Sequence, residues 1–297
     1  MAEPAAFEEQ RTRLWGVAYR ITGSVADADD AVQEAWLRWQ ALPSGRVADP
    51  RAYLTTVVSH ICYDQLGSAR ARRESYVGPW LPEPVVTEAG PEDRVTLDES
   101  VGLALLTVLE RLTPAERTAF VLHDVFAVPF PEVAEAVGRS PEAVRQLASR
   151  ARRRVRAEAP RRSVDREQHR RAVDAFLSAV LGGDLDALLA VLDPEAVWRS
   201  DGGGKVAAAR VPIVGAAQVA RFALRLARAL DPHTSRIAVR DVNGAPGLVL
   251  ADPVRGWAGV YGITVYDGRI TEVDAVVNPD KLRHLDLFGG LTGERGV

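Results

Sequence analysis

Residues 129–156 read PFPEVAEAVGRSPEAVRQLASRARRRVR, and few folds other than helix, tight turn, helix can accommodate that run. Gly138 supplies the turn. Ser140 is placed to cap the second helix, and Pro141 falls at its first position, where a missing N–H costs nothing. From there Val144, Leu147, Ala148, Ala151 and Val155 share one face at helical spacing. Arg145, Gln146, Ser149 and Arg153 share the opposite face, with Arg150 at its edge. A buried stripe backed by Arg, Gln and Ser suits a helix that lies in a DNA major groove. A charged back alone would describe many solvated surface helices. The short preceding run of Val133, Ala134 and Val137, the glycine turn and the cap are what mark a helix-turn-helix.

The rest of the chain bounds how such an element is used. With 297 residues there is room for two or three domains. The net charge of −3 argues against a generally sticky nucleic-acid binder. Positive charge is local instead, at Arg70, Arg72 and Arg73 and again between Arg150 and Arg162, which suits directed docking on phosphates. A lone cysteine, Cys62, excludes an intramolecular disulfide and a Cys-rich metal site, so no metal or cofactor is expected and a reducing cytoplasm fits. The first residues lack the apolar core of a signal peptide, and no apolar run reaches membrane-spanning length, so no membrane partner is expected. All but two of the 37 basic residues are arginine; the exceptions are Lys205 and Lys281. A lysine kept in such a chain points to a task that a guanidinium does not perform.

Composition and periodicity divide the chain into four parts. Residues 1–75 read as helical, with apolar stripes at Leu14, Val17, Ala18 and Ile21, then Ala31, Val32, Ala35 and Trp39, then Leu54, Val57, Val58 and Ile61 through about Leu66. Residues 76–97 read as a linker, since four prolines (79, 82, 84 and 91) exclude a regular helix. Trp80 and Leu81 are unsuited to a free linker and suggest a segment that packs on another surface. Residues 98–160 form a second helical domain ending in the helix-turn-helix. Residues 165–290 change character: helical patterns give way to alternating strands near 235–242, 247–251, 257–265 and 270–277, with Asp267-Gly268 as a hairpin turn.

These residues resemble an extracytoplasmic-function (ECF) sigma factor. DADDAVQEAWLRW resembles the helix by which that family docks on the β′ clamp helices of core RNA polymerase, with Asp30, Gln33 and Glu34 at the matching positions. PRAYLTTVVSHICYDQLGSARARRE resembles its −10-reading region, which implies that His60 and the basic end Arg70, Arg72 and Arg73 lie on promoter DNA. The helix-turn-helix resembles the domain that reads the −35 element and meets the β flap, although Pro129 stands where the family usually has a capping Ser. WLPEP (Trp80, Leu81, Pro82, Glu83, Pro84), DGGGK (Asp201, Gly202, Gly203, Gly204, Lys205) and NPDKL (Asn278, Pro279, Asp280, Lys281, Leu282) resemble three signatures of the group 41 members, which carry a SnoaL-like C-terminal extension. Both lysines fall inside them.

The resemblance implies a multidomain architecture: two all-α sigma domains, the second with the helix-turn-helix, followed by an α+β SnoaL-like (NTF2-like) cone. It implies a non-enzymatic transcription initiation factor whose partners are core polymerase and promoter DNA, acting in the cytoplasm. The cone is expected to regulate the sigma domains in cis, with Trp80 and Leu81 as the plug and Asp201 and Lys205 as polar partners, Lys205 facing Glu83. Its apolar cavity offers room for an unidentified small ligand. Asp201 is the one carboxylate there to consider for proton transfer, but a single loop aspartate is more often a turn former or ion-pair partner, and no catalytic set is legible. The other reading is a helix-turn-helix regulator with a small-molecule sensor domain and no polymerase contact.

Overall fold

Short capping sequences set the helical elements. Gly23 adopts the left-handed conformation (φ 71°) and ends α1 (Pro4–Thr22); the Ser24 side chain then accepts the Asp27 N–H and starts α2 (Val25–Gln40). α3 (Pro50–Glu74) runs past Leu66, where its apolar stripe fades, so the basic segment after it is helical as well. The computed structural model describes residues 3–43, 45–74, 76–87, 102–158 and 165–288. The chain divides into two compact units, one of residues 1–75 with 106–159 and one of residues 76–105 with 160–297.

In the first unit, α1 to α3 bury Leu14, Val17, Ile21, Ala28, Ala35, Leu54 and Val58 against one another. The later helices are α4 (Leu103–Leu109), which begins before this unit, α5 (Pro114–Phe120), a single π-helical turn (Val121–Val125), α6 (Phe130–Val137) and α7 (Pro141–Glu158). Thr113 and Glu116 form a reciprocal capping box at the start of α5. Pro129 occupies the N-cap of α6 without a side-chain bond, and the helix begins at Phe130. Gly138 (φ 63°) turns the chain, and Ser140 Oγ accepts the Ala143 N–H at the start of α7. The two helical modules pack on each other within this unit. α3 lies against α5 and α6. Arg117, 2% exposed, donates to the Arg20 carbonyl and pairs with Glu110, while Arg13 and Arg20 stack over the Phe126 ring at 5.5 and 5.2 Å.

The second unit is an α+β cone. α8 (Arg166–Gly182) and α9 (Leu185–Val191) precede β2 (Leu192–Asp201), β3 (Ile213–Val214) and α10 (Ala216–Ala227). β4 (Arg236–Val242), β5 (Ala245–Asp252), β6 (Trp257–Tyr266) and β7 (Arg269–Val276) follow as an antiparallel meander. A short strand from the linker, β1 (Val86–Thr87), completes the sheet in the order β1-β4-β5-β6-β7-β2-β3, with β2 and β7 parallel. Asp267 and Gly268 both take positive φ in the β6–β7 hairpin. Register shifts in β2 and β6 curve the sheet.

Strand alternation gives the sheet two apolar faces. Leu248, Tyr261, Ile263 and Val265 join α8 to α10 in one core. Val249, Ala251, Val260 and Val276 point to the other side, where Leu81 of the linker and Leu282 and Leu287 cover them. β2 was not legible in the sequence, because Pro194 and the shift between Leu192 and Val197 break the alternation that Ala196, Trp198 and Ser200 resume.

Candidate nucleic-acid interface and linker clasp

On α7 the apolar residues Val144, Leu147, Ala148 and Ala151 are buried, which leaves Arg145, Gln146, Ser149, Arg150 and Arg153 exposed on the opposite face. Arg145 sits 5.4 Å over the Phe130 ring and 3.4 Å from Glu142. Arg150 Nε donates to Glu116 at 3.2 Å, so one arginine of this face is oriented by the α5 capping box. Burial raises the Glu116 carboxyl, but bonds from the Thr113 hydroxyl and N–H and the charges of Arg154 and Arg150 outweigh it and leave the group below its ordinary pKa. On α2, Asp30, Gln33 and Glu34 form an exposed polar row, with Glu34 paired to Arg38. His60 is exposed 3.0 Å from Asp64 on α3. Arg70, Arg72 and Arg73 belong to the same helix, but their side chains lie outside the described residues.

The three pentapeptides meet in one place within the second unit. Asp201, at the end of β2 and fully buried, accepts the Leu81 N–H (2.8 Å) and the Lys281 ammonium (2.7 Å) on Oδ2, and the Tyr76 hydroxyl (2.6 Å) and Gly203 N–H (3.1 Å) on Oδ1. Lys281, 6% exposed, also donates to the Leu81 carbonyl and lies 3.6 Å over the Trp80 ring and 5.2 Å over that of Tyr76. A guanidinium is broader than the ammonium held between this carbonyl, carboxylate and ring, which gives the retained lysine a reason. Asn278 donates to the Tyr76 hydroxyl (2.8 Å) and caps the 3-10 turn Pro279–Leu282 through the Asp280 N–H. Burial, then the bond to the Asp201 carboxylate, push the Tyr76 phenol up, so it stays protonated as a donor.

The glycines of the second motif are steric requirements. A Cβ on Gly202 would come 2.6 Å from the Val206 carbonyl oxygen, and one on Gly203 (φ 60°) would come 2.3 Å from Asn278 Nδ2. Beyond the polar knot, Leu81 is fully buried in the second sheet core, Pro82 and Pro84 are buried, and His284 donates to the Pro84 carbonyl (2.9 Å). Val85 exchanges two bonds with Asn243 (2.8 and 3.2 Å), which leads into the β1–β4 pairing. This is a peptide captured by strand addition and an anchoring leucine.

Asp201 thus faces the linker and does not line the cone's cavity. Lys205 is exposed and pairs with Asp280; the buried ammonium of the clasp is Lys281. Tyr76, Asn243 and His284 were missed in the sequence because none sits in a motif and each acts through a neighbour far along the chain. The described residues hold no group of three His, Cys, Asp or Glu able to bind a metal ion, and no helix among them is long and apolar enough to cross a membrane.

Comparison with known proteins gives this arrangement a family. Residues 6–72 match the Sigma-70 region 2 family and residues 102–155 the Sigma-70 region 4 family. The chain is 45% identical over 292 residues to the ECF RNA polymerase sigma factor SigJ of Mycobacterium tuberculosis, across 94% of this chain and 93% of that protein. It is 40% identical over 291 residues to the probable ECF RNA polymerase sigma factor SigI of the same species, across 96% and 97%. The crystal structure of M. tuberculosis SigJ superposes with a TM-score of 0.79 at 40% identity, covering 96% of this chain and 100% of that one. With both helical regions matched in order and the cone shared along nearly the full length, this chain belongs to the extracytoplasmic-function RNA polymerase sigma factors.

Proposed function

We propose that the two helical modules direct core RNA polymerase to its promoters and that the C-terminal unit controls, in cis, how those modules are posed. In this reading Asp30, Gln33 and Glu34 dock on the β′ clamp helices, and the region 4 module meets the β flap. Arg145, Gln146, Ser149 and Arg153, with Arg150, read the −35 element. His60, Arg70, Arg72 and Arg73 serve the −10 region. No chemistry is required of the chain itself, since polymerase performs the reaction and the sigma factor contributes recognition.

The observation that carries the control is the clasp. The connection from residue 75 to residue 102 would reach about 90 Å if fully extended. With residues 76–87 fixed on the cone, only residues 88–101 are left to span, about 50 Å. Clasping therefore shortens the tether that joins the two helical modules by nearly half. The mutual packing of the two helical modules works in the same direction, because polymerase must part them to use both. Control is then a population shift: a signal acts only through its differential affinity for the clasped and released arrangements.

Run-off transcription with reconstituted polymerase tests this. Asp201→Asn in the full chain removes the charge that Lys281 faces and is expected to raise both core binding and promoter output. Equal core binding and equal output from the wild type and the variant would overturn cis control.

A further inference from the structure

The elements beneath α7 orient two of its outward arginines by different means. Arg150 is held by the Glu116 carboxylate (3.2 Å), which takes up one of its N–H donors. Arg145 is held by a ring. Its guanidinium carbon lies 5.4 Å from the centre of Phe130, while its contact with the exposed Glu142 is long, at 3.4 Å. A cation over an aromatic face is attracted without spending a hydrogen bond, so the N–H donors of the planar fork stay available to another molecule.

The ring is itself fixed. Phe130 stands between Pro129 and Pro131, which narrow its backbone, at the first position of α6. The His123 imidazole stacks on it, with centroids 3.8 Å apart and planes 26° from parallel. His123 Nδ1 donates to the Val128 carbonyl (3.0 Å), which fixes both the plane of the imidazole and the nitrogen that carries the proton. The loop between the two rings is tied to the π-helical turn by the Phe126 N–H on the Val121 carbonyl (3.1 Å) and the Val128 N–H on the Leu122 carbonyl (2.9 Å). It passes through Ala127 in the left-handed region (φ 54°), a strained conformation for a residue other than glycine that persists only where its surroundings hold it. Phe130 and His123 are only half-buried, whereas Val133, Ala134, Val137, Val144, Leu147 and Ala148 of α6 and α7 are buried and supply the apolar core of the pair. The stack is therefore placed to aim a side chain more than to hold the two helices together.

We infer that Phe130, braced by His123, is a positioning residue for promoter recognition: it pre-orients the Arg145 guanidinium toward a guanine edge, whose O6 and N7 acceptors match a planar fork, and so sets the sharpness of −35 discrimination. The inference rests on the proposed reading of the −35 element by Arg145. An arginine already aimed loses less freedom when it meets the matching base, and a mismatched base that cannot accept both bonds gains less from that aim.

Holoenzyme reconstituted from the full chain and core polymerase, bound to a pool of promoter fragments randomised over the −35 element and then sequenced, reads base preference position by position. Arg145→Ala marks the positions that this arginine reads. Phe130→Leu, which keeps apolar bulk and removes the ring, should lower discrimination at those same positions by about two- to fivefold and at no others. Phe130→Tyr, which keeps the ring, should retain the wild-type preference. Phe130→Leu combined with Arg145→Ala should match Arg145→Ala alone. Partial unfolding lowers binding to every fragment alike and leaves preference unchanged, so a merely structural role does not move this readout. Unchanged preference in Phe130→Leu, an equal loss on every fragment, a loss in Phe130→Tyr as large as in Phe130→Leu, or effects that add to those of Arg145→Ala would each overturn the positioning role. Unchanged preference in Arg145→Ala itself would instead remove the −35 reading by that residue, and the positioning role with it, so the two failures are distinguishable.

Discussion

The outward face of α7 and the clasp on the cone are both built from opposite charges, under opposite conditions. On α7 the Arg145 and Arg150 side chains are 54% and 52% exposed, and their pairs with Glu142 and Glu116 are long. In the clasp the Lys281 and Asp201 side chains are 8% and 0% exposed, and both Asp201 oxygens and the Lys281 ammonium have hydrogen-bond partners within the unit. An exposed pair is worth about 0–1 kcal/mol and exchanges readily for a phosphate or a base edge. A buried pair, once one partner is lost, costs about 3–5 kcal/mol. The first arrangement leaves charge available to another molecule. The second, in the proposed control, would serve as a latch with discrete states, shut or open.

That contrast can be broken at its strongest point first. Lys281→Met should destabilise the C-terminal unit by about 3–5 kcal/mol, read by urea denaturation, because Asp201 is left buried without its cation. Replacing both partners, Asp201→Asn with Lys281→Met, should recover part of that loss; additive losses would show that the two residues do not act as a pair. Leu81→Ala should cost about 2–5 kcal/mol and open the linker to protease, since its side chain fills the second sheet core. On the exposed side, Arg145→Ala should leave stability unchanged and cost about 1–3 kcal/mol in promoter binding with relaxed −35 preference, measured across a series of altered promoters.

The smallest effect sits between the two regimes. Glu116 is held below its ordinary carboxyl pKa of 4.5 in the folded chain, so the stability it contributes is present above that value and is lost as pH falls through the depressed one. Glu116→Gln should therefore cost about 0.3–1 kcal/mol near neutrality, and the difference in melting temperature from the wild type should shrink below pH 4.5. A difference that grows on acidification would contradict the assignment.

How much of the molecule was legible in the sequence tracks how locally each feature is encoded. The helix-turn-helix could be read because Gly138, Ser140 and Pro141 act within four residues of one another. The hairpin at Asp267-Gly268 was legible for the same reason. β2 was hidden because its alternation is interrupted, and its pairing with β7 is 70 residues or more away in sequence. The clasp was half legible. The three pentapeptides mark its parts, and the scarcity of lysine marked both ammonium groups. Which lysine is buried depends on side-chain direction: Lys281 points inward from a 3-10 turn capped by Asn278, while Lys205 follows two left-handed glycines to the surface. Nothing local distinguishes them.

Hydrogen exchange at the Leu81 and Val85 amides tests the central claim most directly, because their N–H groups are donated to Asp201 and Asn243 on the cone. Both amides should be protected in the free chain and should exchange rapidly once the chain is bound to core polymerase at promoter DNA. Equal protection in the free and the polymerase-bound states would mean that the linker stays on the cone during initiation, and the clasp would then be a structural joint with no part in control.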